Sequence, residues 1–111
     1  MNDLHAVSKR INDASKHLAR HYELEEEKLR AANLGVEAWV PFRKDYEIGY
    51  AKCSGKWQLA IRHSGQFVSL LCNESRIIRM LGINALPAIE AQLCIEAEIL
   101  ARQLEVELGV K

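Results

Sequence analysis

The sequence lacks the cysteine pattern that would hold a small fold together covalently or through a metal. Its 111 residues contain three cysteines, Cys53, Cys72 and Cys94, which are widely spaced and form no CxxC pair. Neither a zinc site nor a disulfide framework is predicted, because both depend on characteristic cysteine spacings. We interpret the three as reduced thiols, which are more often small core residues than nucleophiles. This pattern favours a cytoplasmic protein.

An excess of charge of either sign is also absent. Lysine and arginine together number 15, as do aspartate and glutamate, so the formal net charge is zero. This balance argues against strong non-specific binding to nucleic acid or an anionic membrane, since both need a basic surface. The N-terminal segment has no apolar signal region, and no run approaches the ~18 apolar residues of a membrane span. The expected partners therefore include neither nucleic acid nor a membrane.

Motifs that would identify an enzyme or a cofactor site are missing as well. The chain has no GxSxG elbow, no Walker loop and no GxGxxG, and its six glycines are isolated. His17, His21 and Glu25 recur at intervals of four and would share one helix face, but no HExxH arrangement is present. Such a stripe is more often a solvated helix face than a metal site. We therefore predict no metal, no cofactor and no catalytic set.

Two long helical segments and a short one are the main features that the sequence does contain. Residues 3–33 carry apolar side chains at helical spacing, and Gly35 can end this helix. It would be ~45 Å long, which exceeds the width of a compact domain of this size, so it is expected to extend beyond the domain. The second long helix covers Leu86–Leu108, and a short helix over residues 74–81 is capped by Asn73.

The second long helix carries apolar residues on more than one face. One stripe consists of Ile89, Leu93, Ala97, Leu100, Leu104 and Leu108, and a helix with a second apolar face needs two partners, such as a sheet and another helix or subunit. Ile95, Ile99 and Val106 lie off this stripe, close to the opposite side of the helix. Leaving these three in water would forfeit roughly 1.5–3 kcal/mol for each side chain that could be buried. We therefore predict a homodimer in which they form the interface.

The region between the helices predicts an antiparallel sheet. Alternating apolar residues mark four short strands, at residues 36–42, 46–53, 56–63 and 67–71. A two-residue turn at Ser54–Gly55 would place Glu47 opposite Arg62 and separate an apolar face from a face of small and polar residues. The order of elements predicts one α+β domain over residues 1–111. Its sheet is a three- to four-stranded meander, with the helices packed on one face.

The polar face of this hairpin is a candidate ligand site. Gly49, Ala51 and Ala60 would leave a shallow floor, and Trp39 would lie over it if its strand is adjacent. An apolar floor with an aromatic wall and a few polar groups is typical of small-ligand sites. The residues predicted to bind are Trp39, Glu47, Gln58 and Arg62. The alternative is that a helix of this chain or of a partner covers the face and needs the small residues for close approach.

Two classes of function remain open. The first and preferred one is a non-enzymatic binding or interaction protein, a homo-oligomer that binds a small ligand or a second protein. The second is a small enzyme that uses the cleft beside Trp39, with Glu47 as general acid or base and His63 nearby. An enzyme would bring a carboxylate or a histidine with a perturbed pKa into a closed pocket, and this separates the two hypotheses.

Two segments of the chain carry a family resemblance. IGYAKCSGKWQLAIR, residues 48–62, and SRIIRMLGINALPAI, residues 75–89, resemble small uncharacterised bacterial proteins carried on mobile gene cassettes. The resemblance covers about the second half of the chain and includes no catalytic signature. It implies an α+β fold and self-association, and it supplies no activity.

Overall fold

The architecture is an antiparallel meander flanked by helices, in a computed structural model that describes residues 3–63, 65–69 and 76–109. The first part comprises helix α1 (Asp3–Ala32) and strands β1 (Ala38–Arg43), β2 (Tyr46–Cys53), β3 (Lys56–His63) and β4 (Gln66–Ser69). The second part comprises α2 (Arg76–Gly82), a 3-10 turn (Ile83–Ala85) and α3 (Leu86–Leu108). The strand order is β1-β2-β3-β4. The predicted α+β fold is therefore confirmed.

The fourth strand is the shortest element of the sheet. β4 has four residues and pairs with β3 from Ala60–Ser69 to His63–Gln66. The remaining features predicted in this region lie outside the described residues. They are Ser64 of the second turn, residues 70–71 of the fourth strand, Cys72, the cap Asn73 and residues 74–75 of the short helix.

The β2–β3 hairpin has the predicted register. Glu47 pairs with Arg62 around the two-residue turn Ser54–Gly55. Both turn residues have positive φ, 54° and 80°, as in the type I′ turns that match the twist of a hairpin. β1 adds to β2 with Trp39 opposite Gly49. Because side chains alternate along each strand, the sheet has one apolar face and one face of small and polar residues.

The apolar face of the sheet forms the core together with the second half of α1 and the first half of α3. The buried cluster consists of Tyr22 and Leu29 from α1, Ala38, Ile48, Tyr50, Leu59 and Ile61 from the sheet, and Leu86, Ile89 and Leu93 from α3. The Tyr22 hydroxyl donates a hydrogen bond to the carbonyl of Arg79, which ties α1 to α2. Both long helices therefore pack on the same face, as predicted.

The C-terminal end of α1 differs from the predicted one. The helix ends at Ala32, and Asn33 takes the left-handed conformation with φ 50°. The Asn33 N–H donates to the carbonyl of Arg30 at 3.1 Å. Asparagine tolerates this conformation better than most residues, so it ends the helix two residues before the predicted Gly35.

The long helices extend past the core. The molecule is 72 Å along its longest axis, and its radius of gyration is 17.1 Å, against about 13 Å for a compact domain of this size. Leu4, Val7 and Ile11, in the first half of α1, are all exposed. The prediction that α1 extends beyond the rest of the domain agrees with this shape.

The apolar stripe of α3 is buried over only part of its length. Ile89 and Leu93 are buried, whereas Leu104 and Leu108 are 50% and 73% exposed. Ala97 and Leu100 are half-buried, so burial of the stripe decreases gradually as the helix continues past the strands. Cys53 is buried as predicted, but Cys94 is exposed. Cys94 directly follows Leu93 and therefore points about 100° away from the core around the helix.

Candidate functional site

Three of the four predicted site residues form a stacked cluster on the polar face of the sheet. Arg62 donates from Nε and Nη2 to Oε1 of Glu47, at 2.9 and 2.6 Å. The guanidinium carbon of Arg62 lies 4.1 Å from the centre of the Trp39 ring. This is a cation–π contact whose cation is held in place by a carboxylate. Gln58 points elsewhere, because its Nε2 donates to the carbonyl of Cys53 at 2.9 Å.

Gly49 provides the space in which the Trp39 ring lies. A Cβ added at Gly49 would overlap the carbonyl oxygen of Ala38 and would lie 2.9 Å from Cε3 of Trp39. Trp39 is partly exposed, and its Nε1 donates to Oε1 of Glu37 at 3.2 Å. The indole therefore covers the floor of the predicted cleft, and Arg62 covers the indole. Ligand binding by these residues stays a prediction.

The acid–base pair considered for an enzyme is not brought together. His63 pairs with Tyr46, and its ring stacks on the Tyr46 ring with centroids 4.4 Å apart. Glu47 is the next residue along β2, so its side chain leaves the sheet on the opposite face. Within the described part of the chain, no three His, Cys, Asp or Glu side chains are close enough to hold a metal ion.

A buried carboxylate attaches α1 to the backbone of β3. Glu26 is 4% exposed, and its Oε2 accepts the N–H of Leu59 at 2.7 Å. Arg30, one turn later, donates to the carbonyl of Trp57 at 2.8 Å and lies 3.6 Å from Oε1 of Glu26. Burial raises the pKa of Glu26, while the Leu59 N–H and the Arg30 guanidinium act in the opposite direction. These two side chains fix the position of the helix on the sheet.

Composition alone does not identify Glu26 as a buried residue. It belongs to the acidic run Glu25–Glu27, and such a charge run by itself indicates a solvated helix face. The spacing of Glu26 does indicate its burial, because Glu26 lies four residues after Tyr22 and three before Leu29. Both neighbours are buried, and residues at these intervals share one side of a helix. Helical periodicity therefore places this carboxylate against the core.

A pair of carboxyl groups connects α1 to α3. Glu25 shares a hydrogen bond with Glu90, and Lys28 Nζ donates to Oε2 of Glu90 at 2.9 Å. Burial and then the adjacent Glu90 raise the pKa of Glu25 to about 7. Hydrogen bonds from Glu25 and Lys28 lower the pKa of Glu90. Glu25 therefore keeps its proton up to nearly neutral pH, because two adjacent charged carboxylates would repel each other.

This carboxyl pair predicts that stability decreases as pH rises. The folded-state pKa of Glu25 is above its ordinary value of 4.5, so the folded state binds this proton more tightly than the unfolded state. The stabilisation of the fold by protonated Glu25 is complete below about pH 4.5 and is lost as the pH rises towards 7. We expect the free energy of unfolding to fall by about 1–2 kcal/mol over this interval, allowing for solvent screening. Urea denaturation at a series of pH values measures it. In Glu25→Gln the amide donates to Glu90 without titrating, so the slope should be smaller; an equal slope would contradict the assignment.

A groove of about 500 Å³ lies between α1 and the residues of α2 and the 3-10 turn. Its apolar lining comprises Ile11, Ala14, Leu18, Met80 and Ile83. His17 and His21 also border the groove and are exposed, as predicted, whereas Glu25 of the same predicted solvated stripe is partly buried beside Glu90. The groove was not predicted, because the packing of Met80 and Ile83 beside α1 depends on tertiary structure.

The C-terminal helical stretch is apolar enough to match a membrane span by length and composition. Residues Ile78–Leu108 contain an 18-residue window of mean hydropathy 1.2, of which 22% is buried within the protein. The sequence prediction counted consecutive apolar residues, whereas an average over a window tolerates polar ones. Ile89 and Leu93 in this stretch pack on the sheet, and the core helix of a globular protein satisfies the same criterion. One such helix is weak support for membrane insertion.

Comparison with known proteins assigns no family. No family model, no curated protein and no solved structure matches the chain. The resemblance to proteins of mobile gene cassettes therefore stays a prediction. The function has to be argued from the surfaces of the molecule.

Proposed function

We propose that the protein is a non-enzymatic, cytoplasmic interaction protein that works as a homodimer. The observation that carries this proposal is the apolar surface on the half of α3 that extends past the sheet. Ile95, Ile99 and Val106 are 53%, 48% and 80% exposed. Clustered exposed apolar side chains of this kind are typical of protein–protein contact sites.

The energetic argument favours a second copy of the chain as the occupant. Each of these side chains gains roughly 1.5–3 kcal/mol when it is fully buried. A two-fold axis presents the same surface twice, so one stripe of apolar residues contributes two sets of contacts. The exposed first half of α1 adds Leu4, Val7 and Ile11 to the available apolar surface. We expect a dimer that buries at least ~1,200 Å² in total.

Catalysis receives no comparable support from the geometry. Glu47 and His63 leave the sheet on opposite faces. The Arg62 guanidinium is already occupied by Glu47 and by the Trp39 ring. The polar groups on this face therefore stabilise one another, and an interaction role agrees better with the exposed helices.

The interface is tested by placing a charge in the apolar stripe. In Ile99→Glu a carboxylate would lie in an apolar contact, so we expect the dimer dissociation constant to rise by ~100-fold or more. The monomer should keep its fold, because Ile99 is already half exposed there. Sedimentation equilibrium from micromolar to tens of micromolar protein measures the change, and circular dichroism checks the fold.

The matched control is Ala101→Glu, which adds the same charge two residues further along α3, at an exposed position about 160° away from Ile99 around the helix. This variant should dimerise within ~3-fold of the parent, because its charge stays in solvent. A parent protein that is monomeric at tens of micromolar would contradict the proposed function. An Ile99→Glu variant that dimerises like the parent would exclude this stripe from the interface.

A further inference from the structure

We infer that the two copies of the dimer contact each other through their exposed helix ends. The exposed half of α1 of each copy packs antiparallel against the exposed half of α3 of the other copy, an arrangement called the exchange below. This inference rests on the proposed homodimer. It adds to the contact through Ile95, Ile99 and Val106 a second contact on the other side of α3, where Leu100, Leu104 and Leu108 lie. Residues 3–21 of α1 are called the basic arm, and residues 95–108 of α3 the acidic arm. The argument depends on where the arms lie, on their charge and on their apolar stripes.

The two arms of one chain lie at opposite ends of the molecule. Residues 11–21 of the basic arm lie beside Met80 and Ile83, whereas Lys28, further along α1, lies 2.9 Å from Glu90. The order of these contacts shows that α1 and the C-terminal segment run in the same general direction. The stretch from residue 3 to residue 28 is about 38 Å long and that from residue 90 to residue 108 about 27 Å. Together they account for most of the 72 Å axis.

The opposite positions of the two arms determine which arm of a second copy can contact the basic arm of the first. Because the arms point apart, a chain does not pair its own basic arm with its own acidic arm. A two-fold axis perpendicular to the long axis reverses the second copy, so its acidic arm lies beside the first copy's basic arm. The same operation creates the second, identical contact and closes the assembly as a dimer. The paired helices then run antiparallel.

The arms carry opposite charge. The basic arm has four cationic side chains against two carboxylates, namely Lys9, Arg10, Lys16 and Arg20 against Asp3 and Asp13. The acidic arm has four carboxylates against one cation, namely Glu96, Glu98, Glu105 and Glu107 against Arg102. Two copies of the same arm would repel each other, whereas unlike arms attract. Charge therefore selects the exchanged pairing over contacts between like arms.

Each arm also presents an apolar stripe that continues its buried face. Leu4, Val7, Ile11, Ala14 and Leu18 lie on the line of the buried Tyr22 and Leu29. Leu100, Leu104 and Leu108 continue the line of Leu93 in the same way. Alternating intervals of three and four residues are typical of helices that pack along a seam. Each stripe can therefore bury the part of the other stripe that lies beyond the sheet.

Charged side chains border the stripes in a complementary way. Arg10 and His17 immediately precede the stripe positions 11 and 18 on α1, and both are exposed. Glu96 and Glu107 border one side of the α3 stripe, three helical turns apart. Carboxylates at this position disfavour an anionic lipid surface as the occupant, since such surfaces bind helices with basic borders. A basic helix from another copy has the required charge.

The test exchanges the charges of the two arms. The first variant is Arg10→Glu/His17→Glu, whose arms are then both acidic. The second is Glu96→Lys/Glu107→Lys, whose arms are both basic. Each alone should dimerise ~10-fold more weakly than the parent or worse, because every contact joins like charges. An equimolar mixture should form a heterodimer within ~3-fold of the parent affinity, because every contact in it joins unlike charges.

A single chain with all four substitutions provides the check on folding and additivity. Its arms have exchanged signs, so it should recover a homodimer, and circular dichroism should show parent-like helix content. If either double variant alone dimerises like the parent while Ile99→Glu dissociates, the exchange is overturned and the dimer stands. A monomeric parent overturns the proposed function itself. Binding of the parent to phosphatidylserine vesicles with loss of the dimer would overturn the exchange in favour of a lipid surface.

Discussion

Replacing Gly49 with alanine is expected to lower the free energy of unfolding by ~3 kcal/mol or more. Overpacking usually costs about 1–3 kcal/mol, and this position is at the upper end because the new Cβ meets backbone as well as a ring. It would overlap the carbonyl oxygen of Ala38 and lie 2.9 Å from Cε3 of Trp39. β1 would have to move away from β2, since a carbonyl in a paired strand has no rotamer to change. Equilibrium urea denaturation measures the loss.

The contribution of the indole can be separated from that of the backbone. Trp39→Ala in the Gly49→Ala background removes the ring contact and leaves the overlap with Ala38. We expect this double variant to regain less than ~1 kcal/mol relative to Gly49→Ala. Full recovery would show that the ring alone requires glycine, and a Gly49→Ala variant within ~0.5 kcal/mol of the parent would contradict the close approach of β1.

Replacing Glu26 with alanine is expected to cost about 2–3 kcal/mol. The Leu59 N–H would lose its only hydrogen-bond acceptor within the described residues, and leaving a buried donor unpaired costs about 1–3 kcal/mol. Arg30 would also lose the adjacent carboxylate. The expected result is a lower midpoint in urea with an unchanged slope, because the surface exposed on unfolding stays the same.

Two further variants separate the hydrogen bond from the charge. Glu26→Gln keeps an oxygen acceptor for Leu59 and removes a buried charge, so it should cost less than ~1 kcal/mol. Glu23→Ala removes an exposed ion pair with Arg20 on the same helix and should stay within ~0.5 kcal/mol of the parent. Equal losses in Glu26→Ala and Glu26→Gln would mean that the charge, and not the acceptor, attaches α1 to β3.

The hairpin could be predicted from sequence because local geometry determines it. A two-residue turn at Ser54–Gly55 sets the pairing, and a slip by one residue would move every apolar side chain to the other face. The neighbourhood of Trp39 and Gly49 followed once β1 was assumed to be adjacent to β2. The position of the Arg62 guanidinium on the ring did not follow, because side-chain rotamers are chosen by contacts that the pattern does not describe.

The extent of the core could not be predicted from the same periodicity. Leu93 and Leu104 occupy equivalent positions on one helical stripe, yet one is 1% exposed and the other 50%. The difference depends on where the sheet ends beneath α3, which the helix sequence does not record. Glu26 shows the converse case, since its charge suggested solvent and its spacing indicated burial. A periodic pattern predicts on which side of the helix a side chain lies, but it does not predict whether that side faces the sheet or solvent.

The attachment of α1 to β3 has a consequence for aggregation. Within the described residues β4 pairs with β3 from Ala60 to His63, and the Leu59 N–H and the Trp57 carbonyl bond to side chains of α1 instead of to a strand. Glu26 and Arg30 place an acceptor and a donor where a neighbouring strand would supply them. Unprotected edges of this kind template strand addition from other molecules. The second half of α1 therefore prevents strands of other molecules from adding to this edge and forming aggregates. The first half of α1, which extends beyond the sheet, can still form the helix contact of a dimer.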